Sequence, residues 1–175
     1  MTRSHLVDSS AQAAAALAAA LAGTGQKLSV AESCTGGGIA QALTEIPGSS
    51  VWFEYGFVTY GNNAKANLLG VPEGQLAAFG AVSKEVAEAM ALGALHRSGA
   101  DIAMAVTGIA GPDGGTTAKP VGTVWFAWAT REQGAHSRDG HVVASRKHFS
   151  GDRHAVREQA ILFAIEGTLK LLPSS

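Results

Sequence analysis

Short apolar runs and longer apolar-periodic segments take turns along the chain. Residues 27–31 (KLSVA), 101–106 (DIAMAV), 122–130 (GTVWFAWAT) and 141–149 (HVVASRKHF) are brief stretches bounded by turn residues, and they read as strands. The run VWFEYGFVTY, residues 51–60, is rich in aromatic and β-branched residues and reads the same way. Helical spacing appears at 37–46, stopped by Pro47 and Gly48, and at about 63–69, with Asn62 placed to cap it. Residues 71–79 read as a turn and another short helix. Ser83 caps a longer helix to about Arg97, with Glu85 and Glu88 near its positive end and Arg97 near its negative end. The last helix, from about Asp152 to Leu172, has Val156, Ile161, Phe163, Ile165 and Leu169 to bury and ends at Pro173. This alternation predicts an open α/β sheet covered by helices. The two final strands are joined by a polar segment carrying Asp139-Gly140, a hairpin turn pair, so one strand should run against the rest. No repeat, linker or composition break divides the chain, and residues 1–175 are expected to form one domain.

The beginning of the chain has two readings. Arg3 followed by AQAAAALAAALAGTG mimics a signal peptide, with Ala-x-Ala for cleavage. Alanine makes a weak apolar region for that purpose and is the strongest helix former, so a first helix is expected. Asp8, Ser9 and Ser10 offer its cap, and Gly23 and Gly25 its stop.

Composition removes several classes of function. With 46% hydrophobic and 15% charged residues, the chain can bury a full core. A formal net charge of -1 supplies no diffuse basic field for nucleic acid or anionic lipid, so a small molecule is the expected partner. The single cysteine cannot form an internal disulfide, and no apolar run is suited to spanning a bilayer. A cytoplasmic location is expected. Two copies are expected to pair through helices or edge strands. The six histidines show no His-x-x-x-His spacing and no Cys-x-x-Cys exists, so neither a metal site nor a cofactor is expected.

The candidate chemistry sits in SVAESCTGGGIAQAL, residues 29–43, where a strand hands over to a helix. Ser33 lacks the Gly-x-Ser-x-Gly setting of α/β-hydrolases and has no histidine–aspartate pair at a familiar spacing. If Ser33 is a nucleophile, its base must be something else. A lysine with a depressed pKa can serve, and Lys65 in FVTYGNNAK is the candidate, with the Tyr60 phenol available to relay or orient a proton. Gly36, Gly37 and Gly38 would aim free backbone N–H groups at a developing oxyanion. Each residue also has an ordinary structural reading: serine as a helix cap, lysine as a solvated side chain. Cys34 is the rival nucleophile, unless it is a small buried hydrophobe. Thr35 reads as a helix cap. Glu32 could either orient Lys65 or satisfy backbone donors at the end of its strand.

Several blocks, in order, resemble the CinA carboxy-terminal domain, the nicotinamide-nucleotide amidohydrolase family. They are AESCTGGGIAQALTEIPGSS, FEYGFVTYGNNAKANLLGV, GAVSKEVAEAMALGAL, GADIAMAVTGIAGPDGGT, KPVGTVWFAWA and FSGDRHAVREQA. The resemblance implies a three-layer α/β/α sandwich with a mixed, mostly parallel sheet of about five strands, one antiparallel. It implies hydrolysis of the carboxamide of nicotinamide mononucleotide to nicotinic acid mononucleotide and ammonia, in pyridine nucleotide salvage. It places the catalytic set on Ser33, Lys65 and Tyr60, and further pocket positions on Thr107 and Arg153. Gly61 stands where the family usually has a serine, which could loosen the loop that carries Lys65. The larger amino-terminal domain that some relatives carry is not in this chain, so its activities are not carried over. The glycine-rich loop is expected to wall the pocket through Gly108, Gly111, Gly114 and Gly115, and with Arg153 to hold the phosphate, unless it is a plain turn between strands. A catalytically silent module that senses a nucleotide or docks on a partner is the alternative.

Overall fold

A computed structural model describes residues 3–131 and 140–172. Helix α1 (Arg3–Ala22) precedes β1 (Leu28–Glu32), α2 (Gly38–Thr44) and β2 (Phe53–Val58). Three helices follow, α3 (Asn62–Leu69), α4 (Glu73–Phe79) and α5 (Lys84–Ser98). Strands β3 (Ile102–Gly108), β4 (Thr123–Thr130) and β5 (His141–His148) lead into α6 (Arg153–Leu169).

The strands form one sheet in the order β2-β1-β3-β4-β5. β1 pairs in parallel with β2 and β3, while β4 is antiparallel to both β3 and β5. Thus β4 alone runs against the rest. Asp139 of the expected hairpin turn lies outside the described residues, but Thr130 and His141 are register partners on either side of it.

Alternation along the strands assigns the two faces. On β3, Ile102, Met104 and Val106 join one core cluster with Leu17, Leu21, Ile39, Leu43, Val156 and Ile165, which come from α1, α2 and α6. Ala103 and Ala105 join the other, against Val86, Met90, Ala94 and Leu95 of α5. β4 repeats the rule, with Val124, Phe126 and Trp128 on the first face and Ala127 and Ala129 on the second. Small residues let α5 and α3 come close: a Cβ on Gly93 would collide with the carbonyl oxygen of Leu69. The result is a three-layer α/β/α sandwich.

Two expected caps fall elsewhere. Helix α1 starts at Arg3, so Asp8, Ser9 and Ser10 lie inside it. Buried Leu6 extends its apolar face, and Ser9 donates its hydroxyl to the His5 carbonyl at 2.7 Å rather than capping. Asn62 is the first residue of α3, and extended Gly61 holds the N-cap position without a side-chain bond. Ser83 does cap α5, accepting from the Val86 amide, and Asp152 caps α6. β2 is shorter than expected because residues Ser49–Val51 turn into a 3-10 helix.

Chain order places the site. From β1 the chain moves to β2 on one side, then crosses to β3 on the other side of β1. The carboxyl end of β1 is therefore where the winding reverses, the position at which open α/β sheets form a crevice.

Candidate active site

Ser33 is the first residue past β1, and its amide donates to the Val106 carbonyl at 3.0 Å, tying it to β3. On the other side, the Thr59 amide donates to the Glu32 carbonyl at 2.8 Å, so β2 continues beside it. Helix α3 then folds back and sends Lys65 into the gap. Lys65 is only 1% exposed. Its Nζ lies 3.0 Å from Ser33 Oγ, 2.8 Å from the Thr59 carbonyl oxygen and 3.0 Å from the Tyr60 carbonyl oxygen. The expected pair is together.

The three contacts of Lys65 bear on its charge. Two end on carbonyls, which can only accept; the third ends on a hydroxyl, which can accept or donate. A neutral amine has two N–H groups for the carbonyls and one lone pair for the serine proton. No carboxylate forms an ion pair with Nζ among the described residues. Burial pushes the Lys65 pKa below its ordinary value of 10.5, the direction a base requires.

Cys34 is in a different environment. Its side chain belongs to the core cluster under α1, α2 and α6, and burial pushes its pKa up to about 12. A thiol held neutral is a poor nucleophile. The reading of Cys34 as a small buried hydrophobe fits this position.

The glycine turn differs from expectation. The amides of Gly36 and Gly38 donate to the Ser33 and Thr35 carbonyls at 3.0 and 3.2 Å. The Gly37 amide donates to the carboxylate of Glu32 at 3.0 Å. None of the three is free for an oxyanion. Glu32 is fully buried and also accepts from the amides of Ile39 and Ala40 and from the Thr35 hydroxyl. It is thus the anion at the start of α2, and it takes the role of satisfying backbone donors rather than orienting Lys65. Thr35 anchors Glu32 instead of capping the helix, whose N-cap is Gly37 in the left-handed region.

Tyr60 is divided between two roles. Its carbonyl accepts from Lys65, but its phenol points away, is exposed, and accepts from Arg153 Nη2 at 3.0 Å. No hydrogen bond links that phenol to Ser33 or Lys65, so the expected relay has no path here. Arg153 Nη1 donates to the Gly111 carbonyl at 2.9 Å, which joins the glycine-rich loop to Tyr60. That loop connects β3 to β4 and contains Gly111 and Gly114, both with positive φ. Gly108 is the last residue of β3, and Gly115 packs against the Val121 backbone. Thr107 is buried and donates its hydroxyl to the Ala81 carbonyl at 2.9 Å, fixing the segment before α5.

One neighbour was not anticipated. Arg157 Nη2 donates to the Thr35 carbonyl at 2.7 Å, so α6 grips the turn that carries Ser33. Its spacing of four residues after Arg153, on one helix face, was the available signal. Among the described residues no group of three or more His, Cys, Asp or Glu side chains could hold a metal ion, and no helix is long and apolar enough to cross a membrane.

A buried serine and lysine at the switch point of a three-layer α/β sandwich define the class of this protein. The family model for the CinA C-terminal domain matches residues 10–172, and the chain belongs to that family. It is 54% identical over 88% of its length to the nicotinamide-nucleotide amidohydrolase PncC of Enterobacter agglomerans, covering 90% of that protein. It is 51% identical to the protein of the same name from Escherichia coli K12, covering 95% of this chain and 94% of the relative. Among solved structures, the competence/damage inducible protein CihA from Agrobacterium tumefaciens superposes with a TM-score of 0.87 at 43% identity, covering 93% of this chain and 95% of that one.

Proposed function

We propose that this protein hydrolyses the carboxamide of nicotinamide mononucleotide, releasing nicotinic acid mononucleotide and ammonia, as part of pyridine nucleotide salvage. The observation that carries this reading is the 3.0 Å contact between Ser33 Oγ and the buried Nζ of Lys65, in a chain 51% identical to a named amidohydrolase over nearly its whole length.

In the proposed mechanism, neutral Lys65 takes the hydroxyl proton as Ser33 Oγ attacks the carboxamide carbon. The Thr59 and Tyr60 carbonyls hold the two amine protons and then share the new ammonium. As the tetrahedral adduct collapses, the C–N bond breaks and Lys65 returns the proton to the leaving nitrogen, which departs as ammonia. Water then attacks the acyl ester with Lys65 again as base, and the acid leaves as Ser33 regains its proton. The catalytic pair is Ser33 and Lys65. Tyr60, through its phenol, and Arg153, with the loop through Gly111 and Gly114, form the rim that would receive the ribose phosphate.

Ammonia release from nicotinamide mononucleotide by the purified protein tests this, with Ser33→Ala as control. Turnover by the native chain and none by the variant is the expected result. No ammonia above the control would overturn the reading and favour a silent binding module.

A further inference from the structure

Ser33 begins a tight turn, which the Gly36 amide closes by donating to the Ser33 carbonyl at 3.0 Å. The two central residues of that turn are Cys34 and Thr35, both buried and both with negative φ, as a type I turn requires. Their main-chain amides have no hydrogen-bond partner among the described residues. Every other amide of the segment is engaged: that of Ser33 on Val106, those of Gly36 and Gly38 on turn carbonyls, and those of Gly37, Ile39 and Ala40 on the Glu32 carboxylate. Buried amides are nearly always paired, so two adjacent unpaired ones call for an acceptor.

A serine at the first position of such a turn ordinarily bends its own oxygen onto the amide two residues on. Ser33 does not, because its Oγ is held by Lys65 Nζ at 3.0 Å. The two amides therefore follow the nucleophile directly and are not used by it. The neighbouring side-chain donors are spent elsewhere: the Thr107 hydroxyl on the Ala81 carbonyl, and the Tyr60 phenol at Arg153. Charge around the turn narrows what the amides can take. The Glu32 carboxylate on its α2 side resists a second resident anion, and the Arg157 guanidinium on the Thr35 carbonyl offsets that field. An oxygen that gains negative charge only during reaction suits this balance.

We infer that the main-chain amides of Cys34 and Thr35 are the oxyanion donors, in place of the glycine amides that follow them. As Ser33 Oγ bonds to the carboxamide carbon, Lys65 takes the hydroxyl proton and the carbonyl electron pair moves onto the oxygen that these two N–H groups receive. When the adduct collapses, the pair returns to the C–O bond and the C–N bond breaks. Cys34 acts here through its main chain, which leaves its thiol in the core. The inference rests on the amidohydrolase reading, in which Ser33 is the attacking residue.

The test uses the mononucleotide with a carboxaldehyde in place of its carboxamide, a compound to which Ser33 can add but which has no amine to expel. With an isotope label on the aldehyde carbon and on the protein nitrogens, the carbon resonance reports the hemiacetal and the amide resonances report what binds its oxygen. The amide protons of Cys34 and Thr35 should move downfield as the hemiacetal forms, and those of Gly36, Gly37 and Gly38 far less. A hemiacetal that leaves the Cys34 and Thr35 amides unmoved overturns the inference and keeps the amidohydrolase reading. No hemiacetal in the wild type overturns Ser33 as nucleophile, and the oxyanion site with it. Kinetics supply the second arm. Cys34→Pro deletes one N–H at the turn position that proline suits, and should lower kcat on the order of 10²- to 10³-fold with little change in KM. A kcat near that of the wild type removes Cys34 from the site. If Cys34→Pro does not fold, the labelled wild-type protein alone decides.

Discussion

Lys65 Nζ lies 3.0 Å from Ser33 Oγ, and its two other hydrogen bonds end on main-chain carbonyls of the segment that follows β2. This arrangement fixes the amine without supplying a counter-charge. In the proposed mechanism, geometry and desolvation together suit Lys65 to act as the base.

Ser33→Ala should remove ammonia release while leaving the fold intact, since the proposed mechanism has one attacking atom. Cys34→Ala should keep turnover within severalfold of wild type and cost about 1 kcal/mol of stability, because Cys34 packs in the core with its thiol held neutral. Steady-state ammonia assays and urea midpoints on both variants decide between the two candidate nucleophiles. Activity lost in the cysteine variant and kept in the serine variant would reverse the assignment.

Lys65→Arg should be nearly as damaging as Lys65→Met, each lowering kcat by on the order of 10²- to 10⁴-fold, since an arginine cannot surrender its proton. The wild-type rate should rise with pH along a limb that belongs to Lys65. Stability carries a second signature. The folded pKa is below 10.5, so between the two values the unfolded chain holds a proton that the folded chain has lost. Stability contributed by this residue therefore grows with pH through that window and levels off once the unfolded lysine also deprotonates. Urea midpoints of wild type and Lys65→Met, followed from neutral pH to the alkaline side, should show the wild type gaining on the variant. A constant difference would mean that burial leaves the lysine charged.

Glu32→Ala should lower stability by on the order of 3 kcal/mol, because three backbone amides, that of Ile39 buried and those of Gly37 and Ala40 partly so, and the buried Thr35 hydroxyl lose their acceptor at once. In a domain of this size that corresponds to a fall of roughly 10 °C in the thermal midpoint. Glu32→Gln keeps one acceptor oxygen and should lose less. Calorimetry on both variants checks the order, and a neutral Glu32→Ala would show that water replaces the carboxylate without cost.

The elements and the Ser33–Lys65 pair were legible because both are written locally. Strand composition, Gly and Pro stops, and the AESCTGGG and VTYGNNAK blocks carry their own signal. The hydrogen-bond assignments were not. Whether the amides of residues 36–38 are free depends on where the Glu32 carboxylate turns, and it turns back onto them. The partner of the Thr35 carbonyl lies 122 residues away on α6, so only the folded chain reveals that Arg157 braces the turn that carries Ser33. Tyr60 meets Lys65 through its main-chain carbonyl, while its phenol follows the strand end outward to Arg153. Asp8 to Ser10 looked like a cap because capping residues are also tolerated inside a helix that a buried Leu6 extends.

That outward phenol makes Tyr60→Phe a test of what the tyrosine does. If it relayed the Ser33 proton, removing the hydroxyl would lower kcat by on the order of 10²-fold or more on every substrate. Among the described residues the hydroxyl has a hydrogen bond only with Arg153 Nη2, and Arg153 is otherwise held by the Gly111 carbonyl. Tyr60→Phe should therefore act through the guanidinium, raising KM for the mononucleotide severalfold with a much smaller change in kcat. Arg153→Ala should go further in the same direction, because it removes the charge as well as its orientation: about 1.5 to 3 kcal/mol of binding, or roughly 10- to 150-fold in kcat/KM. The riboside has no phosphate to lose, so both variants should narrow the gap between the two substrates, which in the wild type should be on the order of a hundredfold. A Tyr60→Phe variant whose kcat collapses equally on mononucleotide and riboside would restore the phenol to the proton path, and would require it to rotate inward from the position it takes here.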